Sequence, residues 1–564
     1  MTVGDASDAE ATHVASVSGC SDRTYGWASV LLFLLVAFWG LYSLPDYGMS
    51  WDEFFRWKGG QEKLLYYKVL LSGGDAQAVL PSKDLYPGLF DLTLAAANEV
   101  LPFGLLALGH GLSLALGVGA VAGAWAIGRL LGGARLAFWC AFFLLMIPRF
   151  YGHMFFNPKD IPFAAGMVWS LYFLLRWGRW LPTPRLGASL ALGVAIGLTL
   201  ALRIGGLVFF GYVAGYAGFV LLRELLVGRV GWRAWIRSVL RVAVHGLLVA
   251  VVAFIVLVPW WPAIHSNPLV KPFQSLGAVS QYPWSGLVLF RGEFIPAPDL
   301  PWYYPLTWLA ITLPDFLIAV LAAGLVLAAV KFRQLAGALF TGRGFPWVVV
   351  ATTVVFPLLF VIVRDSVLYD GMRHLLFILP PLACLGAFAW TRLVDVLRCG
   401  WRIVAGVVLA VLMLMQLPVV YRLHPYEYVF FNQVSGGVQS KAGRYEGEYW
   451  GTSLREASQW LIQHVPAGNC RVATSAPPLM AILYLPERFQ LVSPRDNPDF
   501  FISLTRLNYD QRMPGETVQV IGRLGIPMAV IKDLRGFSPT APAQGEMPSG
   551  SELPLELERP PVEE

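Results

Sequence analysis

Apolar runs of roughly 13–22 residues, most of them 17 or longer, recur between Trp27 and Val419, and many of the short loops between them carry arginine. A run of that length satisfies its backbone polar groups inside a bilayer only as a crossing helix, so the chain is committed to a polytopic α-helical membrane protein. The expected spans are Trp27–Leu44, Ala107–Ile127, Leu136–Pro148, Ile161–Leu175, Leu186–Leu202, Gly206–Leu222, Val242–Val258, Leu309–Val330, Trp347–Val363, His374–Trp390 and Ile403–Val419, about eleven in all. The segment Leu85–Leu106 is interrupted by Asp91, Asn98, Glu99 and Pro102 and is expected to approach the membrane without crossing it.

Composition agrees with this reading. Of 564 residues 56% are hydrophobic and 14% charged, where a globular chain carries about 25% charged residues. The 42 basic and 36 acidic side chains leave +6, and the surplus lies in short loops, which fits membrane topology and excludes a nucleic-acid partner. Cys20, Cys140, Cys384, Cys399 and Cys470 show no paired short spacing, so neither a zinc ribbon nor a disulfide framework is expected.

The basic loops are those of Arg129/Arg135, Arg176/Arg179/Arg185, Arg223 to Arg241, Lys331/Arg333/Arg343 and Arg392/Arg398/Arg402. The positive-inside rule makes them cytoplasmic, which places the amino terminus inside and the carboxyl-terminal part outside a plasma membrane. Four regions follow: a disordered cytoplasmic tail at 1–26, a membrane domain with structured outer loops at 27–420, an extracytoplasmic α/β domain at 421–537, and a disordered tail at 538–564. In the third region Ser453–His464 is expected as an amphipathic helix, and Cys470–Thr474, Val518–Ile521 and Met528–Ile531 as strands.

The polar clusters sit where apolar runs stop. Asp52 and Glu53 lie in the aromatic stretch Met49–Lys58, at the start of a helix expected in the interface from Glu53 to Leu71. Adjacent helical residues point about 100° apart, so the two acids should differ in role. One would act on substrate as a base; the other would hold the loop or a cation such as Arg56 or Lys58. Asp160 closes a second cluster with Arg149, Tyr151, His153 and Lys159. A structural explanation is available for it, because Asn157-Pro158-Lys159-Asp160 has the form of a helix amino-terminal cap. Arg203 stands between two apolar runs, where it faces headgroups, a lipid phosphate or one of the acids. Tyr369-Asp370-Gly371-Met372-Arg373-His374 opens another span, and the Arg373 fork suits a phosphate. For a metal only His265 and Glu53, with Asp52, His374 and His424, come into consideration, and no ligand spacing joins them. No phosphate-cradling glycine loop is present.

These motifs together resemble the C-type membrane glycosyltransferases, the superfamily of the bacterial lipid A aminoarabinose transferases and the protein O-mannosyltransferases. Asp52-Glu53 is similar to the acidic pair of that family's first outer loop, Pro148 to Phe163 to its second outer motif with Asp160 as the acid, and Arg373-His374 to the motif near the lipid phosphate. Trp260-Trp261-Pro262 lacks the acid of the oligosaccharyltransferase sequon motif, which sets asparagine-linked transfer apart. The resemblance implies an inverting transfer of a sugar from a polyprenyl-phosphate donor to an outer-leaflet glycan, lipid or protein acceptor in a bacterial inner membrane. In that scheme Asp52 is the base, and the other two carboxylates counted with the catalytic group, Glu53 and Asp160, orient the acceptor; no second carboxylate is needed as an acid. Arg373, His374, Arg203, Lys58 and Arg56 are candidates for the donor phosphate, and His153, Lys159 and Tyr151 for orienting the acceptor or loop. A divalent metal is left open. The competing reading is a multi-span transporter of a lipid-linked or anionic substrate, which should carry internal repeats with broken helices.

Overall fold

Long apolar helices and one polar, aromatic-rich helix build the membrane part of the computed structural model, which describes residues 3–80, 86–227, 230–280, 284–340, 342 and 344–537. Among the described residues seven helices are long and apolar enough to cross a membrane, or eight if one bent pair counts as a span. The apolar runs alone lead to an expectation of about eleven, and the difference has identifiable causes. Helix Leu105–Leu145 takes in two expected spans, Ala107–Ile127 and Leu136–Pro148. It breaks at Gly132 and Gly133, the latter at φ +81°, a conformation that costs glycine little. A Cβ on Gly128 would lie 2.7 Å from the Ala137 backbone, so the chain folds back on itself there. Helix Leu186–Leu202 reaches only 17 residues. Helix Asp160–Gly178 falls outside the set that satisfies both length and hydropathy.

The expected span Leu309–Val330 is a bent pair, Tyr304–Thr312 and Asp315–Val330, at 111°. Pro314 holds Leu313 in extended geometry (φ −66°, ψ 136°), as a residue before proline prefers. The carbonyls freed by the bend are met by the Asn432 amide, which donates to Ala310 O and Leu313 O, both at 2.7 Å.

Residues 1–26, expected as a disordered tail, are largely taken up by the first helix, Val3–Ser43. The tail expected at 538–564 lies outside the described residues. The helix expected from Glu53 to Leu71 forms as Trp51–Leu71, and a second helix, Leu89–Val100, packs along it. In the long connection that follows Trp260, strands β1 (Leu287–Phe290) and β2 (Glu293–Pro296) pair antiparallel. Arg291 and Gly292 between them are both at positive φ, the geometry of a tight hairpin turn.

The carboxyl-terminal domain has helix Leu454–His464 and a mixed sheet of β3 (Cys470–Thr474), β4 (Phe489–Leu491), β5 (Phe500–Leu504), β6 (Glu516–Arg523) and β7 (Ile526–Asp533), ordered β4-β3-β5-β7-β6. The helix and the three expected strands are present. β4, at 3 residues, is too short to show a period, and the wholly buried β5 carries no regular alternation of polar and apolar residues. Met49 and Phe54, from the segment after the first helix, belong to the same apolar core as Leu454, Met480 and Phe489. Trp51 N also donates to Trp450 O at 2.7 Å, and Met49 N to Tyr484 Oη at 2.7 Å. The domain is thereby fixed onto the loop that carries Asp52.

Candidate functional site

Asp52 occupies the first turn of helix Trp51–Leu71 and stays partly exposed. Arg373 Nη1 donates to its Oδ2 at 2.8 Å, and Lys159 Nζ lies 3.9 Å from the same oxygen. Burial acts to raise the Asp52 carboxyl; the Lys159 ammonium and the Arg373 guanidinium outweigh it and hold the group below its usual value. Asp52 is therefore ionised at neutral pH. Its two cations differ in grip, since the Arg373 contact has hydrogen-bond length and the Lys159 contact does not.

Glu53, one residue on, does something else. Its Oε2 accepts the Ser50 N–H at 2.7 Å, the return half of a capping box that starts the helix, and its Oε1 lies 3.2 Å from His110 Nε2. Ser50-Trp51-Asp52-Glu53 is a capping-box sequence, so this role had a signal in the chain. Arg56 is pinned to helix Leu89–Val100, with Nε 2.7 Å from the buried Asp91, and Lys58 is exposed. His265 lies away from Glu53's partners: its Nδ1 meets Tyr66 Oη at 2.8 Å and its Nε2 meets Val258 O at 2.9 Å, which leaves neither ring nitrogen for a metal.

The cap at Asn157 forms as the sequence suggests in one half only. Asn157 Oδ1 accepts from Lys159 N at 3.1 Å and Asp160 N at 2.8 Å, while its amide donates to Asp160 Oδ2 at 3.0 Å and faces His153 Nδ1 at 3.2 Å. That uses the whole hydrogen-bonding capacity of the side chain. Asp160 does not reach back to the Asn157 backbone; its Oδ1 sits 2.8 Å from Arg203 Nη2. Arg203 thus holds an acid. His153 is buried, and burial pushes its imidazole down to about 3, Asp160 opposing and Arg149 reinforcing the shift, so it is a neutral spacer at physiological pH. Tyr151 lies apart, beside Glu427 and Ser43.

Arg373 is nearly buried, between the rings of Tyr369 at 4.8 Å and Trp450 at 4.9 Å. Its second terminal nitrogen binds Asp370 Oδ2 at 3.0 Å, and His374 packs edge-on against Tyr369. Beyond it, Arg506 of the carboxyl-terminal domain contacts Asp370 and lies 4.0 Å from Glu446. Charge therefore alternates along two linked strings, Arg203 to Asp160 and Lys159 to Asp52, Arg373, Asp370 and Arg506. Asp160, Asp370 and Glu446 are buried, whereas Asp52, Lys159 and Arg203 keep an exposed edge. Asp370, Glu446, Trp450 and Arg506 join the site without having been marked as candidates by the sequence. Among the described residues no group of three or more His, Cys, Asp or Glu side chains is placed to hold a metal ion. The acids Asp52 and Asp160 already face cations, so the cluster suits an anion better than a divalent metal.

Seven helices of spanning length among the described residues define a polytopic membrane protein, with a cluster of alternating charges beside them as its candidate site. Its architecture is similar to that of ArnT from Cupriavidus metallidurans bound to undecaprenyl phosphate (16% identity, 90% of this chain and 98% of that chain, TM-score 0.46) and in the apo state (16%, 90% and 98%, 0.49). It is similar also to the archaeal oligosaccharyltransferase AglB from Archaeoglobus fulgidus in complex with an inhibitory peptide and a dolichol-phosphate (12% identity, 85% of this chain and 70% of that chain, TM-score 0.46). No protein-family model matches the sequence, and no curated protein matches it.

Proposed function

We propose that the protein is an inverting glycosyltransferase that moves a sugar from a polyprenyl-phosphate donor to an acceptor hydroxyl or amine at the outer membrane face. The observation that carries this reading is an ionised carboxylate, Asp52, with an exposed edge beside two partly exposed cations, Lys159 and Arg203. The motif resemblance supports it. The acceptor attacks the anomeric carbon, the bond from that carbon to the phosphate oxygen breaks, Asp52 takes the acceptor proton, and the phosphate leaves against Lys159 and Arg203. One displacement inverts the centre. A donor phosphate also draws Lys159 and Arg373 away from Asp52, which raises the basicity of the carboxylate when substrate is present. Asp160, held by Arg203 and Asn157, orients that side of the site.

The testing experiment uses purified protein, a polyprenyl-phosphate sugar and candidate acceptors, with release of free polyprenyl phosphate as readout. Binding of the donor without release under any acceptor would favour the transporter instead. The orientation proposed with it, from the basic-loop asymmetry, has the carboxyl-terminal domain and the site outside a bacterial inner membrane and the amino terminus inside. A reporter fused after Val420 should behave as extracytoplasmic and one near Arg398 as cytoplasmic; a cytoplasmic Val420 fusion would overturn the orientation.

Donor binding should depend on pH through Lys159. Burial pushes its ammonium down to about 8, Asp52 opposing, Arg203 and Arg373 adding to the shift and Asp160 opposing it; the Tyr86 ring lies 5.0 Å away. The charge is present below that value and lost above it, so affinity for a polyprenyl phosphate should fall about tenfold between roughly pH 7 and pH 9.5. Lys159→Arg should flatten the profile, and a flat profile in the unaltered protein would remove Lys159 from the phosphate.

A further inference from the structure

Arg506 is the point at which the carboxyl-terminal domain enters the charged cluster, and the backbone on both sides of its contact is unusual. Leu507 and Asn508, directly after it, lie at φ +52° and +53°, and its partner Asp370 lies at +57° with Gly371 at +69°. A leucine in the left-handed region is strained and persists only where its surroundings hold it. Here the holding groups are visible: Thr505 N donates to Met528 O at 3.1 Å, Thr505 Oγ1 donates to Pro527 O at 2.8 Å, and Tyr304 Oη accepts from Gly371 N at 3.1 Å. Two strained turns from different domains are thus fixed so that Arg506 meets one oxygen of Asp370. The other oxygen is 3.0 Å from Arg373, which holds Asp52 at 2.8 Å. Glu446, 4.0 Å from Arg506, is pushed up to about 8 by burial, with Arg506 opposing, so Asp370 supplies the charge that Arg506 meets.

We propose that Arg506 is a positioning residue through which the carboxyl-terminal domain sets the charge and geometry of the donor site: it occupies one oxygen of Asp370, so that the other orients Arg373 on Asp52. The inference rests on the transfer reading above. Without Arg506 one guanidinium would face two carboxylates, and the cluster would carry one negative charge more. Anion affinity at Lys159 and Arg203 would drop.

The probe is binding of a polyprenyl monophosphate to the full chain in detergent at about pH 7, with sugar transfer followed in parallel. Arg506→Gln should weaken binding about tenfold, and Arg506→Gln with Asp370→Asn should return to within about threefold of the unaltered protein, because the amide oxygen introduced by Asp370→Asn still accepts from Arg373 without the charge. A purely structural Arg506 would leave the double variant no better than the single one, which overturns the proposal, as does an Arg506→Gln protein that binds normally. Should Arg506→Gln not fold, Asp370→Asn alone, with Arg506 unopposed, should bind about threefold tighter; unchanged or weaker binding would count against the role. The expected binding pattern without any sugar transfer supports Arg506 and sinks the transfer reading. Transfer abolished by Asp52→Asn but indifferent to Arg506→Gln sinks Arg506 alone.

Discussion

Asp52→Asn is expected to lower turnover by about 10²–10⁴-fold while donor affinity holds or rises. The asparagine keeps the shape of the side chain and one acceptor for Arg373, now 2.8 Å from Asp52 Oδ2, but it has neither the charge nor the capacity to take a proton. Lys159 and Arg373 lose their competitor and become freer for the phosphate, so a drop in donor affinity would contradict the arrangement. Asp160→Asn is the control. The cap is made by Asn157 Oδ1, so the change spares it; the charge opposite Arg203 is lost, and the single amide oxygen left at 160 cannot serve both Arg203, now 2.8 Å from Oδ1, and the Asn157 amide, now 3.0 Å from Oδ2. A loss of about tenfold is expected if Asp160 orients the site, and near-normal turnover if it does not. Release of free polyprenyl phosphate and binding of a donor analogue separate the two quantities. An Asp52→Asn protein that turns over normally would end the base assignment, and Glu53 would not inherit it, since its carboxylate is spent on Ser50 N and His110.

The contrast between these neighbours shows what the sequence could and could not disclose. Asp52, Asp160, Arg203 and Arg373 are legible because a charge at the end of an apolar run is costly and needs a reason. Tertiary structure brings all four into pairs, Arg203 with Asp160 and Arg373 with Asp52. Glu53 takes the second of the two roles expected of the acidic pair, holding the loop, and the spacing Ser50 to Glu53 already spells a capping box. Arg506 and Glu446 could not be singled out. They lie in a soluble domain where charge is ordinary surface, and only the fold brings them 4.0 Å apart behind Asp370. The same limit explains the helices. Hydropathy locates apolar runs, but it does not register the glycine pair that folds Leu105–Leu145 back, nor the way Pro314 and Asn432 together stabilise a 111° bend.

Replacement of Arg373 tests whether the alternating charges behave as one network. Arg373 is 5% exposed, and each of its two terminal nitrogens serves a different carboxylate, Asp52 at 2.8 Å and Asp370 at 3.0 Å. Removing the shared cation leaves the buried Asp370 and the partly exposed Asp52 short of a partner, a loss worth about 3–5 kcal/mol for buried acids to which no other cation can turn. Arg506 still reaches Asp370 and Lys159 still lies 3.9 Å from Asp52, so Arg373→Ala is expected near the lower end, about 3 kcal/mol. Donor affinity should fall by about 10²-fold in the protein that remains folded. Arg373→Lys should recover about half of the stability loss at most, because an ammonium cannot span both carboxylates as the planar fork does and loses the stacking between Tyr369 and Trp450. The network further requires that Arg373→Ala with Asp370→Asn be less destabilised than Arg373→Ala alone, one uncompensated charge having been removed. Unfolding of the detergent-solubilised variants and binding of a polyprenyl-phosphate analogue read the two effects separately. If Arg373→Ala unfolds like the unaltered protein, Asp52 and Asp370 do not depend on it, and the link from the carboxyl-terminal domain to the Asp52 carboxylate is broken at its middle.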